Sequence, residues 1–307
     1  MGPGGPSDEL LRALAAARRR WLGRAGVVGV AAGLKLVGGR PTETIAVQFL
    51  VERKLRRPRR PVPRFLRGRD PGGRPVPGAR IPTDVIGVGR PALACRAGGS
   101  VRAAGERGSI ALAFRDKAGG GASWILTCAH VAGDLERSPP IEPELLDREG
   151  RRLATVVKNT VAEGDAVEFD LALARVDRAA LPIDDLAVEG GGRLAGWLEA
   201  EDIEPGAALE AAVASGRRRG PVVSLAAEIL AVLDGRRYLV RNLFGLLAEV
   251  RPGDSGGLVH DGRGRAAGIV VARSEGGLAW WQPLRPALES LNRSSPRTGV
   301  RPFKKGI

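Results

Sequence analysis

Apolar residues first recur at helical spacing, and then, for most of the chain, gather in short runs between turn residues. Leu10, Leu11, Leu14 and Leu22 follow Ser7, Asp8 and Glu9, with Arg18, Arg19 and Arg20 near the end. This predicts a helix over 7–22, capped by Ser7 and charged to suit both ends of its dipole. Residues 26–54 read as a β-hairpin, two apolar β-rich runs around Gly38-Gly39-Arg40-Pro41. Arg, Pro and Gly dominate 55–80, which is expected to be a linker or extended arm because it lacks the side chains to bury a core. From Ile81 onward the candidate strands are 83–88, 109–115, 123–128, 152–158, 170–176, 208–214, 221–232, 237–243, 256–260, 266–273 and 278–282. Such spacing suits a sandwich or barrel. Residues 285–292 suggest a short closing helix, and 294–307 a basic tail. No apolar run is long enough for a membrane-spanning helix, and no internal repeat marks a solenoid.

Composition supports a turn-rich β protein: of 307 residues, 44 are Gly and 22 Pro, aromatics are 4%, and 43% are hydrophobic, too many for a disordered chain. The length allows two domains. Two cysteines, Cys95 and Cys128, cannot make a disulfide framework, so a cytoplasmic location is expected. The alternative is export. Arg18-Arg19-Arg20-Trp21-Leu22 before a short apolar run faintly resembles a twin-arginine signal, but Lys35 interrupts the run. Charge is lopsided. Residues 1–80 hold 18 basic and 5 acidic side chains, net +13, whereas the whole chain is net +14. That region can be a solvated basic linker, or can meet nucleic acid, an acidic membrane surface or an acidic protein partner.

Chemistry concentrates in three places. Gly253-Asp254-Ser255-Gly256-Gly257 places a serine in a glycine turn whose Gly253 and Ser255 N–H groups can form an oxyanion hole. Trp124-Ile125-Leu126-Thr127-Cys128 is an apolar strand ending in Ala129-His130-Val131, a firm mount for a general base. Asp170 opens the apolar strand Leu171-Ala172-Leu173-Ala174, where a carboxylate can be buried against the His130 ring; Asp165 is the competing acid. His260 lies in the turn His260-Asp261-Gly262-Arg263-Gly264 and reads as a surface residue.

In the order His130, Asp170, Ser255, these pieces resemble the chymotrypsin/trypsin-like serine peptidase family, in its bacterial, disulfide-poor form. The resemblance spans about residues 84–291. It implies a mainly β fold of two β-barrels, His130 and Asp170 on the first (81–190) and Ser255 on the second (191–293), behind an N-terminal helix and hairpin module (1–80). A second, weaker resemblance is to the narrow-leaf-type subgroup of bacterial and plant trypsin-like proteins. It rests on Gly29-Val30-Ala31-Ala32-Gly33-Leu34-Lys35, Gly39-Arg40-Pro41-Thr42, Pro82-Thr83-Asp84-Val85-Ile86 and Gly98-Gly99-Ser100-Val101. The implied activity is peptide-bond hydrolysis through an acyl-enzyme, on a protein or peptide substrate, with no metal or cofactor.

The sequence also departs from the secreted pattern. Val131 follows the histidine where a cysteine is usual, Val271 replaces a commonly polar residue, and no Ile-Val-Gly-Gly activation terminus is present. Asp254 is therefore expected to bond a backbone N–H or an arginine. Glu249, six residues before Ser255, can floor a pocket for Lys or Arg substrates, unless Arg273 pairs with it or blocks the entrance. The alternatives to a protease are a peptide-binding or signalling module on the same fold with latent activity, and a nucleic-acid-associated protein acting through residues 1–80. The basic module is expected to pack on the first barrel and to regulate or target the protease, through a partner protein or another ligand.

Overall fold

The computed structural model describes residues 7–293 apart from 73, 94–100, 104–105, 116–121, 134, 137–143, 148 and 177–193. The basic tail, Cys95, the Gly98-Gly99-Ser100 run and the glycine-rich boundary near 190 lie outside the described residues.

Helix α1 (Asp8–Trp21) forms as its pattern predicts. The Ser7 hydroxyl accepts from Leu10 N at 3.3 Å, and Leu10, Ala13, Leu14 and Ala17 are buried on one face. Strands β1 (Val27–Val37) and β2 (Arg40–Val51) make the antiparallel hairpin. Its turn requires positive φ at two successive residues, 59° at Gly38 and 79° at Gly39, which glycine adopts without strain. The stretch expected to be a linker is more ordered than its composition suggests. Strands β3 (Phe65–Arg69) and β4 (Pro75–Gly87) pair antiparallel, and β4 runs parallel to β2 from Val47↔Thr83 to Val51↔Gly87. Arginines are tolerated in β3 because it is the edge of the sheet, and the prolines Pro75, Pro77 and Pro82 fall in the part of β4 ahead of Thr83, where β2 does not yet pair with it. The boundary drawn at Ile81 thus falls inside β4.

The rest of the chain is β5 (Ala92–Leu93), β6 (Val101–Ala103), β7 (Glu106–Gly108), β8 (Leu112–Arg115), β9 (Ser123–Thr127), β10 (Glu144–Leu146), β11 (Arg152–Asn159), β12 (Ala166–Val167), β13 (Ala172–Val176), β14 (Gly196–Trp197), β15 (Ala208–Val213), β16 (Gly216–Leu233), β17 (Arg236–Leu247), β18 (Leu258–His260), β19 (Arg265–Arg273), β20 (Leu278–Pro283) and helix α2 (Leu284–Arg293). Two sheets result. One has the order β7-β6-β10-β11-β13-β9-β8. In the other, β17-β20-β19-β18-β15-β16 is a path whose ends also pair, β16 with β17, so six strands close into a ring.

The module does not dock on the His130 sheet as expected; it extends the Ser255 sheet. β15 pairs with β16 up to Pro221, and β1 takes over that edge from Ser224 to Ile229. Register shifts between Val222 and Ile229 and a φ of 45° at Ala226 bend β16 there. The seam is polar, and Gln48 is hydrogen-bonded across it. Buried Gln48 donates to Leu34 O and Val223 O, both at 2.8 Å, and Ser224 Oγ donates to Gln48 Oε1 at 2.6 Å. Gly33 lies so close that a Cβ there would strike the Val223 carbonyl. Arg18 adds a hydrogen bond to Ala226 O and an ion pair with Glu228 at 3.2 Å.

Candidate active site

Strand β9 delivers Cys128, Ala129 and His130 into the core, where all three are at most 2% exposed. Asp170 stands just before β13, the strand that pairs with β9, so the register Ala172↔Thr127 brings the two side chains together. His130 N donates to Asp170 Oδ1 at 3.1 Å, and His130 Nδ1 is hydrogen-bonded to Asp170 Oδ2. With Asp170 ionised, Nδ1 carries the hydrogen and Nε2 is the basic nitrogen. The competing acid, Asp165, is exposed and pairs with Arg236 at 2.9 Å.

Two residues that the sequence did not single out hold Asp170. Thr160 Oγ1 donates to Phe169 O at 2.6 Å and accepts from Leu171 N at 2.9 Å, clamping the backbone on both sides. Gln282, fully buried on β20, accepts from Asp170 N at 2.8 Å and donates to Glu168 O at 3.0 Å and Arg241 O at 2.8 Å. A glutamine inside the apolar run Leu278–Pro283 was the available signal.

Ser255 sits in the loop between β17 and β18, with Gly253 at φ 96° and Gly256 at φ 91°. Those glycines are required: a Cβ on Gly256 would strike Ser109 O. The loop is tied to the His130 strand through shared atoms. Gly256 N and Cys128 Sγ both approach Val270 O, at 2.8 and 3.2 Å. Ser109 N donates to Ser255 O at 2.6 Å, Ser109 Oγ to Gly253 O at 3.1 Å, and Thr127 Oγ1 to Ser109 O at 2.8 Å. The Ser255 hydroxyl itself donates to Val271 O at 3.1 Å. Among the described residues, neither Gly253 N–H nor Ser255 N–H has a protein acceptor.

Asp254 is bonded as the sequence led us to expect, by backbone N–H groups. It accepts from Ser215 N at 2.9 Å, Arg251 N at 2.7 Å and Ser215 Oγ at 2.7 Å. Arg218 reaches the same turn through Ser215 O at 2.8 Å.

Residues 113–269 match the trypsin-like peptidase domain. The chain belongs to the trypsin-like peptidase family. Similar solved structures are bacterial chymotrypsin-like proteases. Protease A of Thermobifida fusca has 19% identity over 64% of this chain and 94% of its own, with a TM-score of 0.46. A glutamic acid-specific serine protease has 22% identity over 64% and 96%, TM-score 0.48. The Cellulomonas bogoriensis chymotrypsin has 20% over 64% and 94%, TM-score 0.42. A search of curated proteins finds no match.

Against the family pattern, the remaining candidates are dispersed. Glu249 is exposed, Arg273 is partly buried, and neither is in an ion pair among the described residues. His260 is buried at 5% exposure, contrary to its reading as a surface residue. Its Nδ1 accepts from Gly262 N at 3.1 Å and its Nε2 lies 3.5 Å from Glu210 Oε1, so it closes the turn after β18. Cys128 Sγ, His130 and Asp170 place ligand-type atoms within 4.8 Å of one another, each already engaged with a neighbour. The cluster is closed. Ser255 and Asp170 are fully buried, and neither of two large cavities, of about 960 and 760 Å³, is lined by any of the three residues.

Proposed function

We propose that this trypsin-like peptidase is a serine endopeptidase with the triad Ser255, His130 and Asp170, its two sheets corresponding to the two barrels of the chymotrypsin fold. The observation that carries the reading is the buried His130–Asp170 pair, with the Ser255 loop pinned to the same Val270 carbonyl as Cys128. Ser255 Oγ forms the C–O bond to the scissile carbonyl as its proton passes to His130 Nε2. His130 then gives that proton to the leaving nitrogen as the C–N bond breaks, and water repeats the sequence to release the acid. Asp170 orients His130 and stabilises its imidazolium. The Gly253 and Ser255 N–H groups hold the oxyanion. The substrate is a protein or peptide. A primary pocket for Lys or Arg lacks support, because Glu249 is exposed rather than desolvated.

A second reading, latent activity, is favoured by one observation: the Ser255 hydroxyl donates to Val271 O in a closed site. Catalysis then requires that hydroxyl to turn from the carbonyl toward His130. A fluorophosphonate probe tests both. Labelling of the wild type and none of Ser255→Ala is expected; equal labelling of both would overturn the assignment. Labelling only after peptide is added would favour the latent form.

A further inference from the structure

The larger cavity, about 960 Å³, lies between the last turns of α1 and the chain leading into β3, and no residue of the proposed triad lines it. Five arginines line it: Arg19, Arg20, Arg24, Arg60 and Arg67. Among the described residues, no acidic side chain does. All five are exposed, and among the described residues none has a carboxylate partner. In the body some arginines are paired, Arg217 with Glu210, Arg236 with Asp165, Arg265 with Asp261 and Arg285 with Glu199, and others, such as Arg237 and Arg273, have no carboxylate partner among the described residues. What sets the groove apart is five such arginines around one cavity. The fold also brings aromatic residues among the charges. Trp21 and Phe65 are far apart in sequence, yet both line this cavity. Each has a guanidinium over its ring, Arg20 at 5.8 Å from the Trp21 centroid and Arg80 at 6.0 Å from that of Phe65. Phe65 is 49% exposed.

We infer that this groove is a binding site for single-stranded nucleic acid. Guanidinium forks match phosphate oxygens, and aromatic faces with arginines beside them stack on bases of any identity. An acidic peptide would satisfy the charge but leave the rings without a flat partner. Apart from arginine, the lining among the described residues holds only alanine, proline, leucine, tryptophan and phenylalanine, so no side chain there offers an acceptor to base edges. Binding therefore rests on backbone and base faces, with any base preference limited to guanine, whose O6 and N7 arginine donors can meet. The inference is independent of the proposed proteolysis.

The test is fluorescence anisotropy of a labelled oligothymidylate of roughly 20 nucleotides with the full-length protein. Affinity should fall about 100-fold between about 50 and 200 mM salt, the slope for some five arginines neutralising single-strand phosphates. Arg20→Glu with Arg67→Glu should abolish binding. Arg237→Glu with Arg263→Glu, two exposed arginines outside the cavity, one at the start of β17 and one in the turn before β19, should lower affinity far less. Phe65→Ala should weaken binding about tenfold through lost stacking. Thermal melts verify that each variant is folded. No binding by the wild type, or equal losses from both charge-reversed pairs, would overturn the proposal. So would binding to poly-glutamate or to anionic phosphatidylserine vesicles at least as tight as to the oligonucleotide, which would assign the groove to an acidic protein or a membrane.

Discussion

Asp170 Oδ2 on His130 Nδ1 is the contact on which the proposed chemistry depends most. Asp170→Asn would present an amide that stabilises the wrong tautomer of His130, and turnover should fall about 10⁴-fold at neutral pH with KM little changed. Steady-state kinetics check this; Asp165→Asn, altering an exposed ion pair, should leave activity near wild type. Gln282 acts one step back. Gln282→Met keeps length and removes three hydrogen bonds, leaving buried Asp170 N without its acceptor and Arg241 O and Glu168 O without the Gln282 amide. Stability should drop by about 2 kcal/mol or more, and kcat should fall while KM holds, because Asp170 loses its anchor. A fall in melting temperature with unchanged kcat would make Gln282 purely structural. His130, Asp170 and Ser255 stood out as candidates because each sits in a short local motif. Gln282 was not, because its partners lie 112 and 41 positions away. His260 was misread for a related reason. A His-Asp-Gly turn looks solvent-facing, and only the pairing of β15 with β18 covers it.

Elements place these residues, and two of them carry testable consequences. The Ser255 loop is held from outside by the turn joining β15 to β16, through Ser215 and Asp254. Ser215→Ala removes one of three bonds to Asp254, and kcat/KM should fall up to about tenfold, the worth of roughly one charge-assisted hydrogen bond. Asp254→Ala removes all three and should cost far more. In the neighbouring β15–β18 pair, burial holds the His260 imidazole below its ordinary value of 6.5, outweighing the opposing pull of Glu210 and Asp261; Arg217 lowers it further. The unfolded chain therefore takes up that proton first. The contribution to stability is complete above 6.5 and is lost as pH falls toward the depressed value. Melting curves should show wild type losing more stability than His260→Gln on acidification from neutral pH. Strand positions were legible from apolar runs between turns. The order of β3 and the start of β4 was not, since an Arg- and Pro-rich edge strand leaves half its backbone unpaired and carries little apolar signal.

At the scale of the whole molecule, the module and the Ser255 sheet are one structure. Composition argued for a separable basic appendage, and the pairing of β1 with β16 argues otherwise. Sequence pattern can locate both strands, yet nothing local reveals that an N-terminal hairpin completes the edge of a strand about two hundred residues later; the match lies in backbone groups and in Gly33, Gln48 and Ser224. A chain shortened to begin at residue 55 loses β1 and β2 and opens β16 from Ser224 to Ile229. It exposes an unpaired strand edge and removes the buried side chains Val30, Ala31, Val47, Phe49 and Leu50. Such a chain should aggregate or melt far below the intact protein, and should label poorly at Ser255 because β16 helps close the ring that carries the loop. A milder variant keeps the experiment decisive if the short chain never folds. Gln48→Met leaves Leu34 O, Val223 O and Ser224 Oγ without their buried partner, and should cost about 2 kcal/mol, or roughly 3 °C in melting temperature. Differential scanning calorimetry would read a single transition that shifts as a unit, because module and sheet unfold together. A new low-temperature transition with the main one and Ser255 labelling unchanged would mean instead that the hairpin melts alone, and that it is an appendage after all.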